Sequence, residues 1–168
     1  MARRRVSTST VLAVDLEVTG VAELPELTRQ AILLGMRRGM NRIRQLARAN
    51  ASGGVVQRRS GRLAGGVRAQ TVRRGDDVIG RVWAPTFYGR MLEYGTAAHT
   101  IRPRTTWRIG KRPAKALAAG DRFWARVQHP GVKPRPWFRP AVEQGLPEVA
   151  RMIDEEILTM VARETGRG

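Results

Sequence analysis

Leu63-Ala64-Gly65-Gly66-Val67-Arg68-Ala69-Gln70-Thr71-Val72-Arg73-Arg74-Gly75-Asp76-Asp77-Val78-Ile79-Gly80-Arg81-Val82-Trp83-Ala84 reads as two strands joined by a tight turn. Residues 63–74 supply the first strand and 78–84 the return, with Gly75-Asp76-Asp77 as the turn signal. Pro85 ends the second strand, because proline lacks the N–H that a ladder needs. The adjacent acids Asp76 and Asp77 are turn chemistry, not a metal site. An antiparallel hairpin in the middle of the chain therefore commits the fold to a sheet that other elements must cover.

Upstream, residues 11–18 alternate loosely and are rich in β-branched side chains, so they read as a strand that Gly20 ends. Pro25 opens a helix over about 25–50. Leu33, Met36, Met40, Ile43 and Ala47 form its apolar stripe, and the methionines are core filler. Residues 50–62 read as a loop entered by Gly53-Gly54, without the spacing of a P-loop. Downstream of the hairpin a helical turn covers 87–93. Residues 97–135 form a long basic loop, with short strands plausible at 99–103 and 122–128. A C-terminal helix over 140–163 places Val142, Leu146, Val149, Ile153, Ile157 and Met160 on one face, and Gly145 and Pro147 are expected to kink or restart it. The fold class is α+β: a small, mainly antiparallel sheet packed on one face by two long helices, with a long basic loop and an extended arm. A single domain over 11–163 is expected between a flexible basic arm, 1–10, and a frayed tail, 164–168.

The 168 residues carry 31 Lys and Arg against 14 Asp and Glu, a net charge of +17. The excess is uneven: residues 1–140 hold 28 basic and 8 acidic side chains, residues 141–168 hold 3 and 6. A field of this size favours polyanions or acidic protein surfaces. The acidic helix is open to two readings, a solvated face or a surface that docks head-to-tail on a basic body. The absence of cysteine removes disulfides and thiolate metal sites. No apolar run approaches the roughly 18 residues that a membrane-spanning helix needs, and the basic start lacks the apolar core of a signal peptide.

Catalytic patterns are missing from the sequence. The two histidines, His99 and His129, stand in basic surroundings with Asp121 as the one nearby acid, a poor metal set. No nucleophile elbow, zinc-protease helix or ordered Ser-His-acid set occurs, so no catalytic residue, metal or cofactor is expected. A basic and aromatic mixture does occur. Arg102, Arg104, Arg108, Lys111, Arg112 and Arg126 surround Trp107, Phe123 and Trp124, and they are expected to face a polyanion without reading its sequence. Arg37, Arg44 and Arg48 of the first helix form a second candidate surface.

Two further segments look like fixed geometry. Tyr88-Gly89-Arg90-Met91-Leu92-Glu93-Tyr94-Gly95-Thr96 is an aromatic and aliphatic turn closed by Gly-Thr, in which Gly95 allows a positive φ and Glu93 suits an arginine partner. His129-Pro130-Gly131-Val132-Lys133-Pro134-Arg135-Pro136-Trp137-Phe138-Arg139-Pro140-Ala141 is a proline-stiffened run feeding a helix. With Ser60-Gly61-Arg62-Leu63 and His99-Thr100-Ile101, these segments in this order resemble a family of small bacteriophage virion proteins that act at the neck, in tail completion or head-to-tail joining. The likeness spans about residues 25–160, with Ser60 where threonine is common and a longer segment at 104–121.

The resemblance implies a non-enzymatic subunit of a ring, hexameric to match tail symmetry. It would lie between the head connector and the tail tube, around the DNA channel. The implied partners are copies of itself, adjoining head-closure, connector, tail-terminator or tail-tube proteins, and genomic DNA by non-specific contact. The implied location is the virion neck, after assembly in the host cytoplasm. Tyr88, Glu93, Tyr94, Gly95, Thr96, Pro136, Trp137 and Phe138 are the implied subunit interface, with Trp137 or Phe138 as an apolar anchor on a neighbour. The competing reading is a basic protein that binds nucleic acid as a monomer or dimer without sequence preference. A small phage nuclease is the third reading, and no acidic cluster supports it.

Overall fold

The computed structural model describes residues 2–7, 12–56, 60–103 and 116–166. Its elements in chain order are β1 (Ala2–Ser7), β2 (Leu12–Val18), α1 (Glu26–Ala49), a π-helical turn (Asn50–Gly54) where a loop was expected, α2 (Arg62–Gly66), β3 (Arg68–Arg74), β4 (Asp77–Ala84), α3 (Phe87–Tyr94), β5 (His99–Ile101), β6 (Leu117–Ala119), β7 (Arg122–Trp124), β8 (Val127–His129) and α4 (Arg139–Thr165). The fold is α+β, as expected. One antiparallel sheet runs in the order β1-β2-β4-β3, and two small ladders pair β5 with β8 and β6 with β7.

The hairpin forms where its turn chemistry put it, with Gly75 at φ +58 and Arg74 opposite Asp77. Its first strand starts later than the sequence suggested. Residues 62–66 make a short helix that buries Leu63 and Ala64, and Val67 then begins the extended chain. At the other edge, residues 2–7 are not a free arm. They pair with β2, and the register sets the positions of Arg3 and Arg5 opposite those of Glu17 and Asp15.

Every second residue of β4 points to the covered face: Val78, Gly80, Val82 and Ala84 are all buried. Gly80 has no side chain because α1 lies directly above it. A Cβ there would sit 2.6 Å from Met36 Sδ and 2.7 Å from Met40 Cγ. Both methionines are buried, as core filler should be.

The second long helix departs from the expected arrangement. α4 packs on α1, and α1 packs on the sheet, so α1 is the middle element. The α1–α4 seam is antiparallel and built on small residues one turn apart. A Cβ on Gly35 would lie 2.5 Å from Ile153 Cα, one on Gly39 2.7 Å from Val149 Cγ2, and one on Gly145 2.5 Å from Ile43 Cγ1. Glycine at these positions lets the helices approach until backbone meets backbone at Gly35 and side chain at Gly39 and Gly145. Two ion pairs flank the seam, Arg42 with Glu148 at 2.8 Å and Arg38 with Glu156. The expected restart at Gly145 and Pro147 does not occur, and α4 is one helix from Arg139 to Thr165. Pro147 forfeits one backbone bond, but the helix is held against α1 on both sides of it, by Gly145 before and Val149 after.

Within 97–135 the short strands expected at 99–103 and 122–128 are present, the second divided in two. β5 and β8 close one ladder with His99 opposite His129, and β6 and β7 form a hairpin turned by Gly120-Asp121. Thr96 bridges to Val132 at the base.

Candidate functional site

The two segments that looked like fixed geometry meet each other. α3 follows Pro85 and turns its Tyr88, Gly89, Leu92 and Glu93 side inward. The proline-stiffened run lies across it. Arg135 N–H donates to Leu92 O at 2.7 Å, and Trp137 Nε1 donates to Gly89 O at 3.1 Å. Glycine at 89 keeps the contact close: a Cβ would sit tightly at 3.2 Å from both Trp137 Cζ2 and Leu63 Cδ1. Asn50, just past α1, donates from Nδ2 to Trp137 O at 2.9 Å.

Glu93 is the centre of this joint. Its side chain is buried at 3% exposure, and it is the one buried charged residue among the described residues. Its Oε2 accepts the N–H groups of Trp137 and Phe138, both at 2.8 Å, and its Oε1 accepts Arg139 N–H at 2.9 Å. These donors belong to the first residue of α4, to its N-cap Phe138, which offers no side-chain acceptor of its own, and to the residue before the cap. A carboxylate from another helix therefore caps α4, on the end where the helix dipole is positive. The expected arginine partner of Glu93 is replaced by main chain.

Gly95 closes the turn at φ +72, where a Cβ would fall 2.5 Å from Val132 O and 2.9 Å from Pro134 Cδ. Thr96 and Val132 exchange backbone hydrogen bonds of 2.9 and 3.1 Å. His99 and His129 stack with ring centroids 5.1 Å apart, and His129 Nδ1 accepts Gly131 N–H at 3.0 Å. Among the described residues no group of three or more His, Asp or Glu side chains could hold a metal ion.

Several expected interface residues are thus spent inside the chain. Trp137 is fully buried, Phe138 is 5% exposed, and their rings meet edge-on at 5.6 Å. They anchor the chain's own core, so the expectation that either reaches a neighbour is corrected, together with that for Glu93. The apolar run at 134–138 is legible in the sequence; that it serves the interior is not. Tyr88 and Pro136 are half-buried, and Tyr94 is exposed. Tyr94 belongs to a face that sequence reasoning missed. Phe87, Met91 and Tyr94 follow helical spacing on the outer side of α3 and are 64%, 45% and 57% exposed, with Arg90 exposed among them. α3 is apolar on both sides, one clamped to the core and one open.

The cations divide by their partners. Arg29, Arg38, Arg42, Arg73 and Arg81 each hold a carboxylate. The hydrogen bond from Arg42 holds the Glu148 carboxyl below its ordinary range, and the same bond raises the Arg42 guanidinium. Arg48 moves the other way. Burial lowers it, and the charges of Arg44 and Arg68 lower it further. Of the six expected polyanion-facing residues, Arg102 and Arg126 are exposed. Arg104, Arg108, Lys111 and Arg112 lie outside the described residues. Among the described residues no helix is long and apolar enough to cross a membrane.

No protein-family model, no curated protein and no solved structure matches this chain.

Proposed function

We propose that this chain is a structural virion subunit of a tailed bacteriophage, acting at the neck or in tail completion as one member of a ring around the DNA channel. The observation that carries the reading is the outer stripe of α3, Phe87, Met91 and Tyr94 beside Arg90. An apolar face this open on a helix locked from behind by the Glu93 cap is suited to a subunit contact. Such a contact is heterologous, between unlike patches of neighbouring copies, and closes by rotation into a ring. The ordered motifs support the same assignment, because the segments that carry the resemblance form one mechanical joint. The proposed partners are further copies, the adjoining connector and tail-tube proteins, and the DNA they enclose.

Light scattering after size exclusion, with electron microscopy of the same fractions, tests the reading. The wild-type chain is expected to form closed rings. The Phe87→Ser, Met91→Ser, Tyr94→Ser triple variant is expected to elute as a monomer with an unchanged thermal midpoint. A wild-type monomer at all concentrations would overturn the ring. It would leave the second reading, a non-sequence-specific nucleic-acid-binding protein, which the basic excess of the chain favours.

A further inference from the structure

We propose that Arg44, Arg48 and Arg68 form a phosphate-binding site at the corner between α1 and β3, and that its occupant is the backbone of duplex DNA. Arg44 and Arg48 are one turn apart on α1. Arg48 reaches across the corner and donates from Nη2 to Val67 O at 3.0 Å, immediately before Arg68. Arg68 folds back and donates from Nη1 to Gly65 O at 3.0 Å. Two of the three guanidinium groups are therefore fixed by the same short stretch of main chain, 65–68. A fixed fork loses little side-chain freedom when it takes a ligand.

The cluster also lacks a carboxylate partner. Among the described residues none of the three arginines forms an ion pair, whereas the neighbouring Arg38 and Arg42 on the same helix both do. Arg48 carries its charge in the field of the other two, which adds to burial in reducing its affinity for a proton. Arginine stays protonated under such pressure, so the crowding persists until an anion relieves it. A phosphate group suits the cluster chemically: it offers several acceptor oxygens and takes charge-assisted bonds from guanidinium groups. Nothing in the cluster reads a base edge, so the contact is blind to sequence. The choice of DNA as the source of the phosphate rests on the proposed neck reading; the oxyanion chemistry does not.

The experiment uses the full chain, random-sequence duplex DNA and, separately, inorganic phosphate. The test variant is Arg44→Gln with Arg68→Gln. The control is Arg151→Gln with Arg163→Gln, which removes the same charge from α4. For the test variant, the slope of log affinity against log salt on DNA should flatten by about 0.9 for each phosphate no longer neutralised, with the control close to wild type. Phosphate should raise the thermal midpoint of the wild type and control and leave the test variant unmoved. In the absence of any anion the single variant Arg44→Gln should melt no lower than wild type, since it removes a like charge from Arg48; a merely structural arginine would show a loss. Equal flattening in test and control overturns the site, as does binding to poly-glutamate that depends on these arginines while DNA binding does not. A response to phosphate without an effect on the DNA slope overturns DNA as the occupant. Oligomeric state measured on the same samples keeps the two proposals apart: rings with an unaffected slope sink the phosphate site alone, and an affected slope without rings sinks the ring alone.

Discussion

Removing the Glu93 carboxylate should uncouple α4 from the rest of the molecule. In Glu93→Ala the N–H groups of Trp137, Phe138 and Arg139 lose their acceptor together. Each buried donor left unpaired costs about 1–3 kcal/mol. Against this, the variant no longer buries a carboxylate, a burden of several kcal/mol per ion that the three bonds now offset. The net loss is expected to be about 3–4 kcal/mol, similar to other cases in which a buried charge interaction is broken from one side. At about 2–4 °C per kcal/mol for a chain of this size, the thermal midpoint should fall by about 6–16 °C. Glu93→Gln is the informative companion. Its amide oxygen can still accept from Trp137 and Phe138, while its NH2 meets the Arg139 N–H donor to donor. Its loss should fall between wild type and alanine, at about 1–2 kcal/mol. Circular dichroism melts give the midpoints, and hydrogen exchange at 137–139 locates the effect. A Glu93→Ala chain that melts with the wild type, or a Gln variant no better than Ala, would refute the cap.

Other substitutions probe the seam, the core and the acid limit. Gly39→Ala adds a methyl 2.7 Å from Val149 Cγ2 and 2.9 Å from its Cα. The overpacking should cost about 1–3 kcal/mol and outweigh the ~0.5–1 kcal/mol that alanine gains in a helix, which urea unfolding will read as a lower midpoint. Trp137→Ala should cost about 3–5 kcal/mol, as expected for a fully buried aromatic, and lower the thermal midpoint by at least as much as Glu93→Ala. The Glu148 carboxyl is held low by Arg42, so its stabilisation is complete above the ordinary carboxylate range and is lost as pH falls through the depressed value. Stability of the Glu148→Gln chain should therefore fall less steeply with acid than that of the wild type; parallel acid limbs would remove the pair from the account.

What the sequence reveals follows the range of the interactions. The α1 stripe and the β3–β4 hairpin are local patterns, and Met36, Met40 and Gly75 carry them correctly. The start of β3 is not legible in the same way, because Leu63 and Ala64 suit a buried helical turn as well as a strand. The glycines of α1 and α4 mean little singly, although Gly35 and Gly39 stand one turn apart and together mark a close helix contact. Pro147 has a local preference to break the helix, which tertiary packing overrides. Glu93 is beyond local reading, since its partners lie 44 to 46 residues away and are main-chain atoms. One signal does exist: the helix beginning at Arg139 has no Ser, Thr, Asp or Asn before it, so its free N–H groups need an acceptor from elsewhere. The open stripe of α3 follows helical spacing, but spacing alone cannot say which of two apolar sides faces the core.

The α1–α4 seam also has a bearing on how the chain folds. Residues 50–138, with β3 and β4 of the four-stranded sheet among them, lie between its two halves. Its contacts close a long loop, and loops of that span raise contact order and slow the folding of a single domain. During synthesis α1 is complete long before its partner, so the groove at Gly35, Gly39 and Ile43 stays uncovered while the intervening elements emerge. In that interval the methionine side of α1 can already rest on the β3–β4 hairpin, giving a half-built core that holds its shape on one side only. Refolding traces should then show sheet signals leading and the helix–helix contact trailing, with Gly39→Ala accelerating unfolding and leaving the early phase untouched.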